Sequence, residues 1–270
     1  MMRRLGVFYW FGFNIPMEER FKLIRQAGFD SAFLWWGDEY RDIDGPKELL
    51  PDIVRGQGLL LENVHLPYSN ANELWTDSLK TDELIKIYAQ GIRDCAAHNI
   101  PTAVMHITRG NEPPPMNKDG MDRIKLLVEL AEKMDVNIAL ENLRRPEYLD
   151  FLLSGIDSGK LGFCYDSGHE NCYTKREDFL PQYGSRLMAL HLHDNDGLDD
   201  QHLVPGEGKI DWAAVAGKLK ATAYTGALTF EVTNEFSGLR DRETPEDFLR
   251  RAYSSAVRIR DMIKILKEID

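Results

Sequence analysis

The stretch Leu161-Gly162-Phe163-Cys164-Tyr165-Asp166-Ser167-Gly168-His169 sets the reading of the chain. Leu161–Tyr165 is short and almost wholly apolar, as a strand buried on both faces of a parallel sheet is. It runs directly into Asp166, with His169 three residues on. The same form recurs along the chain. Strands are expected at Leu5–Trp10, Ser31–Trp36, Leu59–His65, Thr102–His106, Asn137–Glu141, Leu161–Tyr165, Leu187–His191 and Ala227–Glu231. Helices are expected between them, at Met17–Ala27, Pro46–Arg55, Thr81–Asn99, Gly120–Met134, Pro146–Leu153, Lys175–Tyr183, Trp212–Ala221 and Pro245–Lys267. Ser78 with Thr81, Asp211, and Thr244-Pro245-Glu246 are helix-start signals, and Gly28 is a C-terminal cap. Eight strands alternating with eight helices is the count of a closed (β/α)8 barrel. A doubly wound open sheet is the competing fold, but no GxGxxG or Walker pattern follows any strand. The expected fold class is therefore α/β, a single (β/α)8 TIM barrel. Pro113-Pro114-Pro115 is too short to act as a linker and no internal repeat is evident, so one domain over residues 1–270 is expected.

Composition agrees. The 270 residues are 43% hydrophobic and 29% charged, with 21 Gly and 12 Pro, which excludes disordered and collagen-like chains. With 33 Lys and Arg against 44 Asp and Glu, the net charge is −11, and this lowers the prior for a nucleic-acid partner. The apolar run Leu5–Phe13 is about half of the roughly 20 residues that a membrane helix needs. Met1–Arg4 is basic but is followed by no adequate apolar region or cleavage site, so a cytoplasmic protein starting near Met1 is expected. Cys95, Cys164 and Cys172 form no metal-type pair and read as reduced thiols.

The informative feature is where the metal-type residues fall. His65, His106, Glu141, His191 and Glu231 each end an expected strand, and Asp166 directly follows one. In a barrel these C-terminal ends form one rim. His169 and the Asp200/His202 pair lie in loops just beyond, so five of the seven His fall on that face. Carboxylates and imidazoles gathered in one cavity repel or desolvate one another unless a cation joins them. A set of Glu141, Asp166, His191 and Glu231 is rich in oxygen and favours Mn2+, Mg2+ or Co2+, while further His residues allow Zn2+.

These placements, with the segments Glu62-Asn63-Val64-His65-Leu66-Pro67-Tyr68, Val104-Met105-His106, Ala139-Leu140-Glu141-Asn142, Tyr165-Asp166-Ser167-Gly168-His169, His191-Leu192-His193-Asp194, Asp200-Gln201-His202, Pro205–Trp212 and Phe230-Glu231, resemble the xylose-isomerase-like TIM-barrel superfamily. That superfamily holds sugar isomerases and epimerases, inosose and dehydroshikimate dehydratases, and abasic-site nucleases of the endonuclease IV type (AP endonuclease family 2). The resemblance implies one divalent metal held by Glu141, Asp166, His191 and Glu231, with His169 against substrate. In the nuclease branch three zinc ions are held, with further ligands matching His65, His106, His169, Asp200 and His202. The text between the ligands departs from that branch at Asn142-Leu143-Arg144-Arg145-Pro146 and at His193-Asp194-Asn195-Asp196-Gly197, and looks like the sugar phosphate isomerase/epimerase members.

The implied activity is isomerisation or epimerisation of a small sugar or sugar acid by proton transfer through a metal-stabilised enediolate, with Glu141 and Glu231 as the acid/base pair and His169 as a third catalytic group. A dehydratase using the same site is the alternative, with His169 as the acid. A three-zinc phosphodiesterase is the alternative from another class, and a non-catalytic binding barrel a further one. The expected partner is a small sugar or polyol, with no membrane, no nucleic acid, and a homo-oligomer left open. His193 shares the strand parity of His191 and is a further candidate for the cavity. Arg109, Arg144 and Lys209 read as solvated loop charge that an anionic group would engage. Trp10, Trp35 and Trp36 read equally as a pocket wall or as core. Tyr68 fits a sugar pocket, Cys164 fills the barrel interior, and His98 on a helix needs no functional account.

Overall fold

A computed structural model of the chain describes residues 2–268; Met1, Ile269 and Asp270 lie outside the described residues. Eight parallel strands, β1 (Leu5–Phe8), β2 (Ser31–Trp35), β3 (Leu60–His65), β4 (Thr102–Met105), β5 (Asn137–Glu141), β6 (Leu161–Asp166), β7 (Leu187–His191) and β8 (Leu228–Phe230), pair in the order β7-β6-β5-β4-β3-β2-β1-β8. The ring closes between β7 and β8 through a parallel bridge of Leu192 to Phe230. There Leu192 N–H donates to the Thr229 carbonyl and Glu231 N–H to the Leu192 carbonyl, each at 3.0 Å, and the Thr229 hydroxyl donates to the Leu190 carbonyl. The fold is thus a near-closed (β/α)8 TIM barrel, and the closing bond itself holds the backbone of Glu231 beside β7.

The helices cover the outside: α1 (Met17–Ala27), α2 (Arg41–Asp44), α3 (Leu50–Gly56), α4 (Leu79–Ala97), α5 (Lys118–Met134), α6 (Pro146–Gly155), α7 (Ser167–Tyr173), α8 (Phe179–Tyr183), α9 (Trp212–Ala221) and α10 (Pro245–Glu268). Their starts follow local chemistry. Ser78 and Thr81 form a reciprocal capping box on α4, and the Asp211 carboxylate accepts the Ala213 and Ala214 N–H groups of α9. Gly28 ends α1 in the left-handed region (φ 111°), as its C-cap role requires. Among the described residues no helix is long and apolar enough to cross a membrane.

Two helices differ from expectation. The expected helix Lys175–Tyr183 is instead a pair, α7 and α8, with residues 174–178 outside both. Asp166 accepts the His169 N–H at 2.7 Å and so starts α7 at the strand end, where a loop was expected. The expected Pro46–Arg55 is a 3-10 turn (Lys47–Leu49) leading into α3, preceded by the unforeseen α2. His106 and Glu231 lie one residue beyond β4 and β8 rather than within them.

Inside the ring, Val104, Ala139, Cys164 and Ala189 form a small buried cluster. Each stands two residues before a candidate ligand, so strand alternation puts small side chains in the cylinder and polar ones at its mouth. Cys164 fills the interior as expected, and burial pushes its thiol up to about 12.

One buried carboxylate organises the loop after β7. Asp194 accepts from the backbone N–H groups of Asn195 (2.9 Å), Gly206 (2.8 Å) and Ile210 (3.1 Å) and from the Trp212 indole (2.9 Å). A Cβ on Gly208 would lie 2.3 Å from both Asp194 Oδ1 and the Asn195 carbonyl, so only glycine lets the loop pass so close. This explains physically why Asp194 and the run Pro205–Trp212 occur together. Asp194→Ala leaves four donors without their acceptor and is expected to cost about 3–5 kcal/mol, read from the urea midpoint. A loss below about 1 kcal/mol would show that the loop stands without the clamp.

Candidate functional site

Every side chain expected at the rim meets there. Glu141, Asp166, His191 and Glu231 each offer a ligand atom, and all four atoms lie within 4.8 Å of one another. Neighbouring strands set this directly, since the register pairs Asp166 with His191 and Glu141 with Cys164. His191 Nδ1 is 3.3 Å from Glu141 Oε2 and 3.2 Å from Glu231 Oε2. His65 and His106 bring Nε2 to 3.2 and 3.3 Å from Glu141 Oε2, and His169 Nδ1 is 3.1 Å from Glu141 Oε1. On the other side, His193 Nε2 is 3.1 Å from Asp166 Oδ1. Asp200 Oδ2 is 3.1 Å from His169 Nε2 and 3.5 Å from His202 Nε2. Two further groups, His65/Glu141/His191 and His193/Asp200/His202, also have cation-binding spacing.

The fit to a metal shows in what the atoms do not do. Glu141 Oε2 and both ring nitrogens of His191 are buried with no aligned hydrogen-bond partner, although charged atoms lie 3.2–3.3 Å away. Separations this short without donor alignment are those of lone pairs aimed at a shared point. Atoms each about 2.1 Å from one ion lie roughly 3–3.4 Å from each other. Backbone carbonyls orient several imidazoles: His65 Nδ1 meets the Leu66 carbonyl at 2.8 Å and His202 Nδ1 the Glu231 carbonyl at 2.9 Å. With Nδ1 donating, each Nε2 lone pair is turned toward the cluster. Asn142 braces Asp166 through its backbone, accepting the N–H (2.7 Å) and donating to the carbonyl (2.8 Å).

Without a cation, charge pairing sets the protonation. Burial alone would raise Glu141, but the His106 and His191 charges hold it well below the usual carboxylate range. Burial alone would lower His169, yet Asp166 and Asp200 raise it well above an ordinary histidine. His202 is likewise pushed up to about 10, against burial, by its hydrogen bond to Asp200 and that carboxylate's charge.

Packing fixes the rings in turn. Phe33 stacks on His191 (4.7 Å), Tyr68 on His106 (4.2 Å) and His202 on His193 (4.0 Å). A Cβ on Gly168 would fall 1.9 Å from the His193 ring, so a glycine there makes room for it. The cavity above has a volume of about 510 Å³. Trp10 and Trp35 wall it, and their indoles donate to Glu235 (3.2 Å) and Glu39 (2.8 Å), whose carboxylates also line it. Trp36 is core instead, buried with its indole on Asp94, and Lys209 does not line the cavity. Sequence reasoning missed Glu39, Glu235, Phe33 and Asn142. Of these, Asn142 alone carried a signal, its position directly after Glu141.

A (β/α)8 barrel with a metal-type cluster at the C-terminal rim is the class that fold and site define. The model of the xylose isomerase-like TIM barrel family matches residues 21–252, and the chain belongs to that family. It is 29% identical over 206 residues to the uncharacterized protein MJ1311 of Methanocaldococcus jannaschii, covering 69% of each chain. It is 22% identical over 252 residues to fructoselysine 3-epimerase of Escherichia coli O157:H7, covering 83% of this chain and 88% of that one. Among solved structures, a D-tagatose 3-epimerase-like protein superposes with a TM-score of 0.73 at 23% identity, over 98% of both chains.

The raised His202 gives a signed prediction for the metal-free protein. A histidine raised on folding stabilises fully below its unfolded value near 6.5 and loses that contribution as pH climbs through about 10. Unfolding free energy of the chelator-treated protein should therefore fall between about pH 7 and 10, and His202→Asn should flatten the slope by about one proton. An unchanged slope in the variant would remove the charged His202–Asp200 pair.

Proposed function

We propose that the chain is a divalent-metal-dependent epimerase or isomerase of a small sugar or sugar acid. The observation that carries this reading is the placement of two carboxylates, Glu141 and Glu231, from strands on different sides of the ring, both against His191. The sugar 3-epimerase named among the relatives supports the same class. Glu141, Asp166, His191 and Glu231 are the proposed metal ligands; the oxygen-rich set favours Mn2+, Mg2+ or Co2+, and the further imidazoles allow Zn2+. When bound, the ion would supply Lewis-acid polarisation of a carbonyl and its neighbouring hydroxyl.

The protein's own groups move the protons. One carboxylate takes the proton from the carbon beside the carbonyl, and the other returns a proton to the opposite face, which inverts that carbon. Glu231 lines the open cavity while Glu141 lies deeper among four imidazoles, so Glu231 is the group presented to substrate. His169, held protonated between Asp166 and Asp200, is placed to donate to a substrate oxygen. That proton also serves the dehydratase alternative, in which it assists departure of a β-hydroxyl. The walls of Trp10, Trp35 and Tyr68 suit the apolar faces of a sugar ring or chain.

A second reading has its own support. His65 and His106 lie beside Glu141, and His169, Asp200 and His202 lie together, at the positions that match the additional ligands of the three-zinc phosphodiesterase branch. Against it stand Glu39 and Glu235 at the mouth, which repel a polyanion.

Metal analysis decides between these: about one ion per chain accompanies the epimerase, and about three with cleavage of an abasic duplex the nuclease. Glu231→Gln keeps the shape of the side chain but removes its base, and should lower epimerisation by about 10²–10⁴-fold while the thermal midpoint stays near that of the wild type. Solvent deuterium incorporated at carbon by the wild type and lost in the variant is the expected signature. Near-normal turnover in the variant would refute the role of Glu231.

A further inference from the structure

The mouth of the barrel carries a second, smaller lobe. It has a volume of about 200 Å³ and lies against His106 and His169, with Tyr68, Arg109 and Asp200 shared between it and the larger cavity. Two guanidinium groups, those of Arg109 and Arg144, line it. In a chain of net charge −11, two cations without carboxylate partners at one lobe call for an explanation.

Arg145 is the internal comparison. It pairs with Glu147 and also donates to the Asn111 carbonyl (3.2 Å), as an ordinary loop arginine does. Arg144, one residue earlier, has no carboxylate or carbonyl partner among the described residues. Its guanidinium lies 3.5 Å from the Tyr173 ring centroid, and Tyr173 stacks on His169 at 5.2 Å. A cation–π contact holds a guanidinium in place without neutralising it, and leaves the N–H fork in the guanidinium's own plane free to bind. Among the described residues the Arg109 guanidinium donates only to the Ser69 carbonyl, at 3.3 Å, while its backbone N–H donates to the Asn72 side chain. The acid in the lobe, Asp200, is already engaged by His169, His202 and His193.

We infer that this lobe is an oxyanion subsite that takes the terminal phosphate or carboxylate of the sugar whose carbonyl end lies at the cluster. Arg144 and Arg109 are the recognising groups, because a planar fork matches either oxyanion with paired hydrogen bonds. The far wall of the larger lobe carries Glu39 and Glu235, and Arg144 lines the smaller lobe alone, so the charge gradient favours an anion in the smaller lobe. Two stacking steps separate Arg144 from His169, and His169 touches Glu141, which is within reach of a short carbon chain. The inference rests on the epimerase reading for the identity of the ligand as a sugar.

The test uses the metal-loaded protein and two pairs of compounds: D-ribulose with D-ribulose 5-phosphate, and D-fructose with D-fructuronate. A phosphate subsite favours the charged member of the first pair, and a carboxylate subsite that of the second. The expected preference in kcat/KM is about tenfold or more in one pair, falling towards unity in Arg144→Gln, with partial recovery in Arg144→Lys. No preference in either pair overturns the inference, as does a preference that persists in both Arg144→Gln and Arg109→Gln. The epimerase reading survives either result if the neutral sugar turns over. Should no compound turn over, calorimetric binding of the same four to wild type and variants still reads the subsite. Tighter binding of a charged member, lost in the variants, supports it, and equal binding within both pairs refutes it.

Discussion

Placing ionisable groups in the dry mouth of a barrel carries a large desolvation penalty, and the arrangement of this site follows from how that penalty is met. Glu141 is almost wholly buried, with three imidazole nitrogens within 3.3 Å of one oxygen. A buried carboxylate left alone would take up a proton. Here imidazolium charge keeps it ionised in the metal-free protein, and a divalent cation would do so when bound, displacing the imidazole protons. At such a site protons and a metal ion would compete for the same lone pairs.

The scaffold holds those lone pairs in place by means that are mostly ordinary packing. Small side chains fill the cylinder beneath the candidate ligands, aromatic rings lie against His191 and His106, and backbone carbonyls turn His65 and His202. The loop that brings Asp200 and His202 over the cluster is tied down by Asp194, a carboxylate outside the candidate ligand set. His202 sits in the left-handed region (φ 50°), which few residues with a side chain adopt, and its Nδ1 on the Glu231 carbonyl holds it there. The order is concentrated where the chemistry needs it.

Much of this was legible in the sequence. Strand ends could be read because inward-facing positions alternate, so a ligand at Glu141 implies a small residue at Ala139, and the same holds for Asp166 with Cys164. Capping residues such as Ser78 and Asp211 act within a turn of themselves and announce their helices locally. What escaped notice depends on distant partners. Trp10 pairs with Glu235 only after the ring has closed, whereas Glu39 is four residues from Trp35 and carries no pattern that marks it as a wall of the cavity. The helix after β6 was misplaced because Asp166 serves twice, as a cluster member and as the cap of α7. Arg144 read as solvated charge because its partner, Tyr173, comes from another element, the end of α7.

The seam between β7 and β8 joins two of these themes. β8 is three residues long, and the bond from the Glu231 N–H to the Leu192 carbonyl is part of the stitch that makes the sheet a cylinder. Any breathing of the cylinder there carries the Glu231 carboxylate away from His191. Architectural integrity and catalytic competence would then fail at one joint, and a substrate gripping both edges of the seam would lend rigidity to the whole wall.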